Sequence, residues 1–163
     1  MRSTLLGGVA AMIVVSSAAG ATLTLKAHLS GRDEVPSSAA RGVGDLIGQV
    51  DTDTRLMTYR VTYKALSGPA TGAGFNGPAA RGKVGASIYL VSDASTPIRG
   101  EARLSDAQMA ELHKGLWYFS VATAANPAGE IRGQLREENP ALDEPDQPPR
   151  FDTQHMPASL SNR

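Results

Sequence analysis

Groups able to act as acids, bases, nucleophiles or metal ligands are thinly spread in this 163-residue chain, which holds three histidines and no cysteine. The missing thiols exclude thiolate catalysis, Cys-type zinc sites, iron–sulfur clusters, blue-copper sites and covalent haem attachment. His28 stands on the polar side of an alternating run, and His113 near the end of a short helical pattern, where a cation suits the helix dipole. Both read as solvated or structural. His155-Met156 pairs an imidazole with a thioether, acceptable ligands for copper(I), but it is a single pair. The serines sit in no Gly-x-Ser-x-Gly elbow. Asp51 and Asp53 form a pair of carboxylates within Asp51-Thr52-Asp53-Thr54, a run of turn formers whose side chains bond to nearby backbone. Gly72-x-Gly74-x-x-Gly77 has the spacing of a dinucleotide fingerprint without a strand leading in or a helix following. The expectation is a protein that is not an enzyme and carries no cofactor.

Four other residues are candidates for binding. Glu130 and Arg132 are one residue apart, so in an extended chain they share a face, where they pair with each other or with Arg99 and Glu101 as a cross-strand charge ladder. The sharper alternative is a recognition surface framed by the Gly-rich stretch around Asn76 and the turn at Asn126, with Arg132 at its base. Asn76, Asn126, Glu130 and Arg132 are therefore the ligand-binding candidates. Trp117 and Phe119 point one way and Tyr118 the other, and core burial is preferred to a carbohydrate-stacking platform.

The elements that must position these residues show mainly a two-residue period. Leu23, Leu25, Ala27 and Leu29 alternate with Thr24, Lys26 and His28. Val43 to Val50 and the series Met57, Tyr59, Val61 and Tyr63 form a hairpin about the Asp51 turn. Ser67 to Gly85 is rich in Gly, Ala and Pro and reads as a long irregular loop. Ala86 to Val91, Ile98 to Leu104, Leu116 to Thr123 and Glu130 to Arg136 read as further strands. Ser105 to Gln108 has capping-box spacing, and Met109, Leu112 and Gly115 complete one short helix. Gly100 and Gly133 fall in two similar strands and suggest a shared device such as a bulge. Some seven short strands favour an antiparallel β-sandwich.

The ends read differently. Arg2, the apolar run Leu5 to Val15 and Ala19-Gly20-Ala21 make a secretory signal over residues 1–21, too short to span a bilayer. Residues 22–136 form the domain, with 13 Lys and Arg against 10 Asp and Glu. Residues 137–163 hold 2 against 6 and five of the ten prolines, the composition of an acidic disordered tail. Neither charge balance calls for a nucleic-acid partner, and no membrane span remains after signal cleavage.

Leu29-Ser30-Gly31 with Glu34-Val35-Pro36, Gly77-Pro78-Ala79, and above all Asn126-Pro127-Ala128-Gly129-Glu130-Ile131-Arg132-Gly133-Gln134-Leu135 resemble the CHRD domain, named from chordin and common in exported bacterial proteins. The resemblance covers about Leu23 to Leu135. It implies an all-β, immunoglobulin-like or Cu,Zn superoxide dismutase-like Greek-key antiparallel β-sandwich with one short helix and no established catalytic activity. Family members typically carry a His-x-His before Gly-Pro-Ala and another His in the strand before the Asn-Pro-x-Gly-Glu turn, a set suited to copper or zinc. Here Gly74, Asn76 and Ala122 occupy those positions, so no metal site is expected. The resulting expectation is an exported binding or structural module, periplasmic or secreted, meeting an unknown protein or polymer of the envelope or exterior. The alternative is a metal-handling protein that holds copper or zinc through atypical ligands.

Overall fold

The computed structural model describes residues 21–138; the expected signal, up to residue 20, and the tail beyond residue 138 lie outside the described residues. Alternation builds the first sheet half. In β1 (Thr22–Ser30), Leu25, Ala27 and Leu29 are buried while Lys26 and His28 face outward. It pairs over its whole length with β2 (Val43–Asp51), from Thr22 opposite Asp51 to Ser30 opposite Val43. Asp51 closes the following turn, its Oδ1 accepting the N–H groups of Asp53 at 3.0 Å and Thr54 at 2.7 Å. β3 (Leu56–Lys64) returns beside β2, and β6 (Ile98–Arg103) pairs with β3.

The second half consists of β5 (Ala86–Leu90), β4 (Ala70–Gly77), β7 (Tyr118–Thr123) and β8 (Ile131–Gln134), in that spatial order. The halves join where Ser30 of β1 pairs with Arg132 of β8, giving the antiparallel order β5-β4-β7-β8-β1-β2-β3-β6. Two residues, Arg136–Glu137, form β9 on β1. The sheet curls over one core. Phe75 of β4 meets Tyr59 of β3 edge-on at 4.8 Å and Phe119 of β7 at 4.9 Å, an arrangement favoured by the ring quadrupoles. Between the two sheet ends, Tyr89 of β5 donates its hydroxyl to the Arg103 carbonyl of β6 at 3.0 Å. The expected all-β sandwich with one short helix is the fold observed. That helix, α1 (Asp106–His113), starts at a capping box: Ser105 Oγ accepts from Gln108 N at 3.2 Å and Gln108 Oε1 from Ser105 N at 2.9 Å. It ends at Gly115, where φ is +64°.

Three expectations need correction. The stretch from Ser67 to Gly85 is not all loop, because β4 runs through it as an inner strand between β5 and β7. Small residues are needed there: a Cβ on Gly74 would lie 2.4 Å from the Tyr89 carbonyl oxygen. Gly100 and Gly133 sit in unbroken register rather than in bulges. Each instead makes room, Gly100 for the Tyr59 ring and Gly133 for the backbone of β1, whose His28 carbonyl oxygen would be 2.5 Å from an added Cβ. Finally, β8 and β6 are not neighbours, so Glu130 and Arg132 form no ladder with Arg99 and Glu101.

These contacts separate the glycines. Gly133→Ala forces β1 away from β8 and is expected to lower the unfolding free energy by about 1–3 kcal/mol. Gly72→Ala meets nothing within 4 Å, and its change should stay within about 0.5 kcal/mol. Urea denaturation of the two variants checks both values.

Candidate functional site

The Asn126-Pro127-Ala128-Gly129-Glu130 turn joins β7 to β8 and carries a fully buried carboxylate. Glu130 Oε1 accepts the Ser67 amide N–H at 2.6 Å. Its Oε2 accepts from Ser67 Oγ, from Thr123 Oγ1 at 2.6 Å and from Asn126 Nδ2 at 3.1 Å. A buried charge is tolerable only with such partners. Burial pushes the Glu130 carboxyl up, but the bonds from Ser67, Thr123 and Asn126 outweigh it and hold the group below its ordinary value. The cluster ties the segment after β3 to the turn between β7 and β8.

Arg132 belongs to a second cluster. Its guanidinium carbon lies 3.4 Å from the centroid of the Tyr118 ring, a close cation–π contact, and it donates to the Lys83 carbonyl at 2.7 Å. Gln134, next on the same face, donates to the carbonyls of Ala79 at 2.9 Å and Gly115 at 2.7 Å. Tyr118 and Gln134 thus pin the 78–85 loop over the β7–β8 face, where the Tyr118 hydroxyl accepts from Gly85 N at 3.2 Å. Arg132 is 2% exposed beneath that loop.

Glu34 approaches the turn from the segment after β1. An added Cβ on Gly129, whose φ is +142°, would lie 2.5 Å from its carboxylate. Glu34 Oε1 is buried with no hydrogen-bond partner. Burial raises its carboxyl above the ordinary value, and the positive charge of Arg132 only partly opposes this.

The four expected binding residues are therefore divided. Asn126 and Glu130 touch, while Arg132 is sealed in its own cluster. Asn76 lies in β4 opposite Tyr118 and donates to the Gly74 carbonyl and to Ser120 Oγ, both at 3.1 Å. Asn126 stands beyond the far end of β7, and Tyr118 to Thr123 spans about 16 Å at strand rise. Ser67, Thr123 and Glu34 were missed as partners. Thr123 left a trace, a polar residue in phase with the buried Phe119 and Val121, whereas Ser67 left none.

Gly74, Asn76 and Ala122 share one face of β4 and β7, since Gly74 pairs with Ser120 and Gly72 with Ala122. They do not fit a metal. Any side chain at position 74 collides with the backbone of β5, the Asn76 amide is already engaged, and alanine offers no donor. Among the described residues no three His, Asp or Glu side chains gather as a metal-binding group. His28 is exposed beside Asp45 at 2.9 Å, and His113 pairs with Glu137.

With its turn carboxylate buried between segments and its strand arginine buried under a loop, the chain is a curled antiparallel β-sandwich module. The profile of the CHRD domain matches residues 25–135, and the chain belongs to that family. No curated protein and no solved structure gives a significant match to it.

The two carboxyls have opposite signs of pH dependence. Glu130, held low, contributes stability above the ordinary glutamate value of about 4.3 that is lost as pH falls through its folded value. Glu34, held high, weakens the fold at neutral pH, and protonation on acidification relieves it. Glu130→Gln should cost about 1.5–3 kcal/mol at pH 7, whereas Glu34→Gln should raise stability there. Thermal melts of both variants between pH 3 and 7 check the signs.

Proposed function

We propose that the chain is an exported, extracytoplasmic module that acts by binding or by contributing structure rather than by catalysis. Support comes chiefly from how the Asn-Pro-x-Gly-Glu-x-Arg block spends its polar groups: Glu130 on four protein donors, Arg132 on a ring and a carbonyl. Groups consumed in this way brace loops and leave no free acid–base pair for a substrate. Among the described residues no helix is long and apolar enough to cross a membrane. Asn76 and Asn126, each half-buried at opposite ends of β7, are the members of the candidate set that an external protein or polymer can still touch.

Two measurements test the reading. Intact mass and N-terminal sequencing of protein recovered outside the cytoplasm of a producing bacterium should show cleavage after Ala21; uncleaved protein confined to the cytoplasm would contradict it. Calorimetric titration of the purified chain with copper and zinc should give no tight one-to-one binding, and a stoichiometric tight site would favour the metal-handling alternative instead.

A further inference from the structure

The outer face of the first sheet half carries an arrangement the family block does not use. Strand register sets Arg136, Lys26, Ile47, Arg60 and Arg99 directly opposite one another across β9, β1, β2, β3 and β6. Directly opposed residues of antiparallel strands project to the same face, so one row holds four cations around an apolar centre. All five residues are exposed, Ile47 by 54%. At about 4.8 Å per strand the row is about 19 Å long. Ile47, Gln49, Thr58, Arg60 and Arg99 line a shallow groove along it.

Like charges directly opposed in a sheet destabilise it, and Arg60 opposes Arg99. Neither has an ion pair or a side-chain hydrogen bond among the described residues. The acids sharing this face do little to offset them: Asp45 is bonded to His28, and Glu101 lies one row away opposite Thr58. An anionic occupant would remove the repulsion.

The chain itself delivers one. Past β9, Glu138 donates its N–H to the Thr24 carbonyl at 2.9 Å and pairs its carboxylate with Lys26, already the second position of the row. Beyond it the sequence places Leu142, Asp143, Glu144, Asp146 and Asp152, with Arg150 and Arg163 as the only cations. Counted from β9, Arg60 lies about 14 Å away and Arg99 about 19 Å, whereas Asp143, five residues past Glu138, reaches up to about 17 Å and Asp146, eight past, up to about 27 Å. We propose that segment 139–163 docks in cis along this row, setting Asp143, Glu144 and Asp146 against Arg60 and Arg99 and Leu142 on Ile47. Tethering supplies the acids at an effective concentration of about millimolar, which favours this occupant over one arriving from solution.

The absence of cysteine makes the test direct, because Gln147→Cys provides a unique site for a nitroxide label in the full chain. At low salt the amide signals of Ile47, Arg60 and Arg99 should broaden. They should recover in 1 M salt, where the screening length is about 3 Å, and in the Arg60→Glu/Arg99→Glu variant. Unbroadened signals at low salt, or broadening that survives charge reversal, would overturn the proposal. Inorganic polyphosphate then separates a cis occupant from an external one. It should bind at least about tenfold more tightly when Asp143, Glu144, Asp146 and Asp152 are replaced by Asn, Gln, Asn and Asn. Equal affinity for the native and neutralised chains would mean that the row stands open to outside polyanions and that the tail does not cover it.

Discussion

The carboxylate of Glu130 is the constraint on which the rest of one sheet end depends. It lies at the junction of three segments: the exit from β3 at Ser67, the end of β7 at Thr123, and the turn at Asn126 that leads into β8. A buried anion with four donors is directional in a way that apolar packing is not. Removing a donor leaves a charge underpaired, and removing the charge leaves donors unpaired. The Gly129-Glu130 step is further confined by the Glu34 carboxylate packed on Gly129, where a side chain has neither the space nor the backbone conformation it needs. In a chain without disulfides, this cluster and the aromatic contacts of Phe75 join segments distant in sequence.

Much of the fold was legible because period two survives wherever one sheet face is buried and the other wet, as in β1, β2 and β3. The capping box and Gly115 marked the helix for equally local reasons. β4 was hidden because its inner strand needs glycine and alanine where other strands carry branched residues, so composition imitated a loop. The only apolar landmark inside it, Phe75, means little until β3 and β7 are placed around it. The glycines of β6 and β8 were visible, but their cause was not, since close approach of Tyr59 or of β1 is a property of tertiary packing.

The candidate site was legible only as residue types. Asn126, Glu130 and Arg132 are chemically able groups in one short block, yet Glu130 stands in the turn before β8 and meets Ser67, while Arg132 stands within the strand and lies on Tyr118. The sharing of one face that spacing implied holds for Arg132 and Gln134, not for a Glu130–Arg132 pair. Donors such as Ser67 cannot be found from sequence because their role is set by a contact 63 residues away. The outer cationic row is the converse case: each member is ordinary alone, and only register reveals the line.

The chain is thus a CHRD-family β-sandwich in which the family block braces the scaffold. Exchange of the Ser67 amide hydrogen with deuterium is the most direct test of that claim, since Ser67 is an exposed residue whose N–H is bonded only to Glu130. The account predicts that this amide exchanges as slowly as those of the core strands, through global unfolding. Exchange at the rate of an open loop would contradict it.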